Sequence, residues 1–380
     1  LNQPGTNDLR PTVAFDEAVP SDDPELRRLL RDNPMPGAFR LALTREPSFF
    51  HAAALEGDVH QTVVARTAEG RLLGLGSRAV RDAFVNGEAT RLGYLAQLRV
   101  DREHRGTRGL LRGGFAALQR LHDRAGEPSF YVTTLIAGNE LARRALARPR
   151  PGLPTYTEHE PIHTLALPLW RRQRSTACPG VEVRVAAASD LDALAECLQR
   201  NLRRYQFAPV WTAAALADPE RCRGLSPGDF RVATRGGRVV GCVALWDQTA
   251  FKQTVVHGYS GALRLARPLV NVLAPWLRVP RLPPVGGRLH HAFLSHLAVD
   301  DDDPLVASAL LAPVLDQALV RGFAYVVLSL ARRHPLLGPV RRAFRALVYA
   351  SVLYTVHWGD GADAVARLDG RVPHLDVAVL

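Results

Sequence analysis

Apolar and polar residues alternate and then fall into helical spacing at several places along the chain. From Tyr94 to Val100, Leu95, Gln97 and Arg99 lie on one side and Ala96, Leu98 and Val100 on the other, which predicts a strand. Arg105-Gly106-Thr107-Arg108-Gly109 then predicts a turn. Leu110, Leu111, Phe115, Leu118 and Leu121 recur near helical spacing and predict a helix over 108–124. Upstream, alternation predicts strands at 61–66, 72–81 and 90–100, with turns at Glu69-Gly70 and at Asn86-Gly87, a hairpin signal. A short strand is expected at 12–15. A helix should follow over ELRRLLRD, capped by Ser21 or Asp22 with Pro24 in its first turn. A second helical piece is expected at 47–55. Downstream, 130–135 reads as a strand, Asn139 starts a short helix, and 162–167 reads as a closing strand.

Beyond a Pro- and Arg-bearing stretch at 170–180 the pattern restarts. Leu95-Ala-Gln-Leu98-Arg-Val100-Asp101 matches Leu294-Ser-His-Leu297-Ala-Val299-Asp300. Val64-Ala65-Arg66 with Gly70-Arg71-Leu-Leu-Gly74 matches Val232-Ala233-Thr234 with Gly237-Arg238-Val-Val-Gly241, and Tyr131-Val132 matches Tyr325-Val326. The segments 162–167 and 375–380 are expected to correspond as closing strands. These matches keep one order in both halves, which chance explains poorly. The reading is a flexible tail at 1–11, one α/β domain at 12–170, a linker at 171–180 and a second copy at 181–380.

Composition narrows the function. The chain has 380 residues, 47% hydrophobic and 22% charged, as expected of a globular protein with two cores. No apolar run is long enough to span a membrane, and no signal-peptide core is visible, so a cytoplasmic protein without a membrane partner is expected. The four cysteines form no CxxC pair, which favours buried thiols and gives no metal site. The net charge is +11, but Lys252 is the single lysine and no arginine run carries interleaved aromatics. A dedicated nucleic-acid surface is therefore not expected, and the charge fits an anionic ligand.

A strand, a glycine-bearing loop and a helix start together make an anion site, because unpaired first-turn amides point at the ligand. This stretch resembles the acetyl-coenzyme A motif of the GNAT (GCN5-related) N-acetyltransferases, a strand ending Leu-x-Val and, four residues on, Arg/Gln-x-x-Gly-x-Gly/Ala opening a helix. Leu98, Val100, Arg105 and Gly106 fit it, whereas the two later glycines fall on Arg108 and Leu110. The resemblance implies a tandem α/β (α+β) protein of two acyl-CoA N-acyltransferase-like domains, each a mixed, mostly antiparallel sheet flanked by helices. It implies that Leu98, Arg99, Val100, Arg105, Gly106, Thr107, Arg108, Gly109, Leu110 and Asn139 bind acetyl-CoA or another acyl-CoA. Such sites use backbone, so Leu110 is expected to crowd the loop rather than abolish binding. The second copy carries Asp300-Asp301-Asp302-Asp303-Pro304 here, which would repel a pyrophosphate.

The implied reaction transfers an acyl group to a primary amine of a small molecule or peptide. Many members of that family use a Tyr on the helix after the fifth strand as the acid; here Leu146 lies near that place. The remaining catalytic candidates are Tyr94, Gln97 and Glu88. Tyr156, His159 and His163 in the first half are weaker ones, as are His296, Tyr354 and His357 in the second. The missing tyrosine keeps a second function open, a non-catalytic acyl-CoA sensor.

Overall fold

A computed structural model describes residues 13–35, 37, 39–173, 178–277 and 279–380. The expected tail at 1–11 and residues 174–177 of the expected linker lie outside the described residues.

The first half runs β1 (Ala14–Glu17), α1 (Asp23–Asp32), β2 (Phe39–Thr44), α2 (Ala53–Glu56), β3 (Val59–Arg66), β4 (Leu72–Val85) and β5 (Glu88–Val100). It continues through α3 (Leu110–Ala125), β6 (Tyr131–Ile136), α4 (Glu140–Leu146) and β7 (Thr155–Pro168). The second half opens with β8 (Glu182–Val185), α5 (Leu191–Leu202), β9 (Ala208–Pro209) and α6 (Ala213–Ala217). Then come β10 (Phe230–Arg235), β11 (Arg238–Trp246), β12 (Gln253–Tyr259) and α7 (Gly261–Leu277). It closes with β13 (His291–Val299), α8 (Pro304–Val320), β14 (Tyr325–Ala331), α9 (Leu337–Phe344), β15 (Leu347–His357) and α10 (Ala362–Ala366).

Local sequence explains most of these starts and stops. Asn86 (φ 53°) and Gly87 (φ 85°) both adopt positive φ, the two-residue hairpin turn expected between β4 and β5. α1 begins with Pro24 in its first turn and buries Leu26, Leu29 and Leu30, one stripe of an amphipathic helix. Asn139 caps α4, its Oδ1 accepting from the Ala142 amide at 3.2 Å.

One thirteen-stranded sheet crosses the molecule in the order β1-β3-β4-β5-β6-β15-β7-β14-β13-β11-β10-β8, with β9 beside β4. Its pairs are antiparallel except β5 with β6 and β13 with β14. The order is a palindrome of the two halves. β7 of the first half lies against β14 of the second, and β15 of the second lies against β6 of the first. β7 and β15 pair with each other at the centre. Each half thus completes its sheet with a strand from the other. β15 also places Val352, Tyr354 and Val356 in the first half's core, against Phe115, Leu118 and Tyr131.

This corrects the reading of 375–380 as a closing strand. The counterpart of β7 is Leu347–His357, whereas 377–379 forms a single helical turn. The closing segment instead lies across the sheet face, with Leu375 packed beside Leu353, Phe207 and Tyr94. β2 and β12 were not legible in the sequence. They pair as a separate two-stranded sheet that ties residues 39–44 to 253–259. The four cysteines are free and buried, as expected. Among the described residues no helix is long and apolar enough to cross a membrane.

Leu353 tests the exchange of strands. It belongs to the second half and is fully buried in a cluster with Leu92, Tyr94 and Phe130 of the first. Leu353→Ala should cost about 2–5 kcal/mol. Calorimetry should show a single transition moving down as a unit, because neither half keeps its sheet without the other. Two separate transitions, only one of them shifted, would contradict this.

Candidate functional site

The site starts from a backbone irregularity. β5 and β4 slip register between Leu75 and Ser77, and opposite that slip Gln97 adopts φ 56°. A bulge of this kind bends its strand and sharpens the local twist. β5 and β6 pair only at Gly93 with Tyr131 and Tyr94 with Val132, and then separate. At Gly93 the strands are so close that a Cβ would lie 2.1 Å from the Tyr131 ring. Past Tyr94 the β6-facing edge of β5 has no strand partner, and Thr133 Oγ1 reaches across the throat to the Leu95 carbonyl at 2.7 Å. A wedge therefore opens beside Ala96–Val100, with Tyr94 at its throat and Gln97 at its bend.

The loop after β5 carries the wedge to the start of α3. Asp101 is buried and anchors the strand end, accepting from Arg28 at 3.1 Å and Arg71 at 3.3 Å. Asp101, Glu103 and His104 gather closely, but Arg28 and Arg71 neutralise both carboxylates. Arg105 is spent on Asn33 Oδ1 at 2.9 Å. Gly106 (φ 101°) and Gly109 (φ 82°) both lie in the left-handed region, and a Cβ at either would meet nothing within 4 Å. The bend at Gly109 leaves the chain ready to enter α3. The amides of Arg108, Gly109, Leu111 and Arg112 donate to no acceptor among the described residues. These are the unpaired donors that a helix start offers to an anion. Exposed Arg108, Arg112, Arg144, Arg148 and Arg150 add positive charge on α3, α4 and their loops. Leu110 does not crowd this cradle, contrary to expectation. It turns inward and packs on Ala65 and Leu73.

The other site residues fall differently. Leu98, Arg99 and Val100 line a small apolar cleft with Leu75, Gly114 and Leu118, between the sheet and α3. Thr107 bends the loop, its amide donating to the His104 carbonyl at 3.1 Å. Asn139 spends its side chain on capping α4. Tyr94 is buried, its hydroxyl 3.4 Å from Thr134 Oγ1, and burial raises its pKa. Glu88 does not join Tyr94 and Gln97. It opens β5 beside the hairpin turn, exposed and 3.8 Å from Arg203. Nine residues of strand put it about 30 Å from the bulge, so it leaves the candidate site. Tyr156 packs against Phe115 and Tyr354, His159 packs against Phe207, and both serve the core. Leu146 is buried too, so the place expected for a tyrosine acid holds an apolar core residue.

A buried charged group beside Tyr94 was not legible in the sequence. Arg81 donates to the Val379 carbonyl at 3.1 Å, and Lys252 Nζ donates to the Ala378 and Leu380 carbonyl oxygens at 3.1 and 2.8 Å. Burial pushes the Lys252 ammonium down to about 8 and Arg81 to about 10. Burial would raise Glu56, but Arg45 and His60 hold it at about 2. The only hint was that Lys252 is the single lysine; its neighbours come from four distant stretches of chain.

The second half repeats the frame and blocks it. β13 slips against β11 between Cys242 and Ala244, and His296 adopts φ 54° where the first half has Gln97. β13 and β14 pair at His291–Phe293 with Tyr325–Val327 and then part. Here the chain's own segment 375–377 enters the gap, leaving a cavity between Leu375, Leu297, Leu328 and His334. Asp376 Oδ2 accepts from the His296 bulge amide at 3.0 Å, Ser329 Oγ donates to the Leu375 carbonyl, and the Val377 amide donates to Ser329 Oγ at 3.1 Å. The acidic loop is spent as well. Asp300 pairs with Arg200 at 2.9 Å, and Asp302 with Arg204 and the Tyr205 hydroxyl at 3.1 and 2.6 Å. Asp303 caps α8, accepting from Leu305 at 2.8 Å, so that helix start offers no free cradle.

No family sequence model and no curated protein matches the chain. Solved structures do match across almost its whole length. A GCN5-related N-acetyltransferase from Sphaerobacter thermophilus superposes with a TM-score of 0.55 at 16% identity, covering 96% of this chain and 98% of that one. Saccharomyces cerevisiae N-myristoyltransferase with bound myristoyl-CoA gives 0.60 at 12% identity, covering 94% and 83%. A GCN5-related glucosamine N-acetyltransferase region of a fungal multi-domain β-N-acetylglucosaminidase gives 0.60 at 14% identity, covering 93% of this chain and 39% of that one. The chain therefore has the GNAT fold, and the match runs through both halves.

Acid stability reads out the plugged wedge. His296, His334 and His374 are buried around it, and burial holds them at about 3, 4 and 3. In the unfolded chain they protonate near pH 6.5. Their contribution is complete above that pH and is lost as pH falls toward 4, at up to about 1.4 kcal/mol per pH unit for each histidine. Urea unfolding from pH 7 to 4.5 should show this slope, and His374→Gln should flatten it. An unchanged slope in that variant would contradict the assignment.

Proposed function

We propose that the protein is an acyl-CoA-dependent N-acyltransferase that transfers acetyl to a primary amine, with one cofactor site per chain, in the first half. The observation that carries this is the joining of an open wedge beside Ala96–Val100 to a run of unpaired amides at Arg108–Arg112. The pyrophosphate of coenzyme A matches those amides and the surrounding arginines. An extended pantetheine arm matches the unpaired edge of β5. The GNAT fold of acyltransferases that cover nearly the whole chain supports the same reading.

In the reaction the neutral amine attacks the thioester carbonyl. A C–N bond forms, the C–S bond breaks, the nitrogen loses a proton and the thiolate gains one. Tyr94 suits the donor's part in this proposal. Its raised pKa keeps the hydroxyl protonated at neutral pH, and it stands where β5 and β6 part. Gln97 takes the bend beside it. The sensor reading draws on the apolar Leu146 of α4 and is separated from this one by turnover.

Turnover of acetyl-CoA with a panel of primary amines should release one thiol per amide formed. Tyr94→Phe should lower kcat about 10²-fold or more with coenzyme A affinity nearly unchanged. Binding of acetyl-CoA without turnover of any amine would favour the sensor.

The cradle has its own test by titration calorimetry. Arg108→Ala should weaken coenzyme A binding about tenfold, and added salt should shrink that difference. Gly106→Val should weaken it more and with little salt dependence, because it forces a branched residue to φ 101°. Binding should saturate at one coenzyme A per chain. Two equivalent sites, or a Gly106→Val chain that binds like the parent, would overturn the proposed site.

A further inference from the structure

Between Gln248 and Val299 the chain carries no Asp or Glu, yet it holds Lys252 and five arginines. This stretch builds a lobe that the repeat does not contain. β12 pairs with β2 on one side and with Arg288 on the other. α7 follows, held by Asn271, whose amide group exchanges two hydrogen bonds with Leu282 at 3.0 and 2.7 Å. The helix turns Ala274 inward, 2% exposed, with Leu263, Ala266 and Val270 partly covered on the same side.

Its outward side is apolar too. Leu265 is 79% exposed, Leu269 61%, Val272 71% and Trp276 83%. Their spacing of four, three and four residues makes a single stripe. Val285 continues it on the neighbouring loop at 63%. Arg264, Arg281 and Arg288 are exposed around it, and none makes an ion pair among the described residues. A helix of 17 residues is about 25 Å long, and one side of it, at Leu263, Ala266, Val270 and Ala274, is covered.

We propose that α7 is an interfacial helix that seats this face on an anionic lipid membrane. The stripe would enter the boundary between headgroups and acyl chains, with Trp276 as its interfacial anchor. The unpaired arginines would meet lipid phosphates. Charge argues against a second copy as the occupant: a two-fold contact through this face would bring two sets of unpaired arginines together, and the stretch 248–299 has no acid to meet them. The proposal departs from the expectation of no membrane partner; that no described helix is long and apolar enough to span a membrane does not bear on surface binding. The inference does not rest on the proposed acyltransfer.

Vesicle cosedimentation of the full chain is the test. The protein should bind equimolar phosphatidylglycerol–phosphatidylcholine vesicles at low ionic strength, bind phosphatidylcholine alone much less, and be partly released by salt. Brominated lipids should quench the Trp276 emission, a signal lost in Trp276→Phe. Leu269→Glu combined with Trp276→Glu should lower affinity about tenfold or more, while melting temperature stays put because both side chains are in solvent. Arg264→Gln should cost about fivefold and reduce the salt dependence. The proposal is overturned by no binding to anionic vesicles, by binding that the double glutamate variant leaves unchanged, or by a dimer in sedimentation velocity that this variant dissociates.

Discussion

The short parallel contact between β5 and β6 is the constraint on which the rest depends. Two residue pairs hold the strands together, and the bulge at Gln97 then bends β5 away. A non-glycine residue at positive φ costs on the order of 1–3 kcal/mol, and the same cost is met again at His296 in the second half. Packing sustains both bends. Tyr131 fills the space under Gly93, and His296 lies among Trp211, Phe230 and Trp246. The bend creates the wedge, and the wedge aims the following loop at the start of α3. The proposed cradle is thus mainly a backbone property, which is compatible with a leucine at 110 whose side chain turns inward.

One backbone frame, used twice, has two outcomes here because of a few side chains and one tail segment. In the first half Asp101 is tied to Arg28, and the residues after it leave amides free. In the second half Asp300 is tied to Arg200 in the same way, but Asp303 then caps its helix and Asp376 occupies the bulge amide. The blocked half still contributes. It lends β15 to the first half's sheet, lays its closing segment beside Tyr94, and supplies Lys252 to the charged group there. The two halves thus share a frame and differ in what their side chains and the closing segment do to it.

The sequence by itself determined whatever is local. The period of two in β3 to β5, the Asn86-Gly87 turn, the helical stripe of α3 and the Asn139 cap follow from near neighbours, and the structure has each of them. The internal repeat also pointed to the doubled frame, and the Arg–Gly loop to the helix start where the cradle is proposed. The tertiary structure decided what depends on long-range contacts. Strand exchange could not be read because β7 and β15 alternate the same way whichever half they join. Glu88 looked usable until the straight run of β5 set it about 30 Å from the bend. Tyr354 read as a second-half candidate, yet strand exchange delivers it to the first half's core. Residues 375–380 were apolar enough to read as a strand, but the sheet's centre was already taken by β15, so they fold over its face and close one wedge instead.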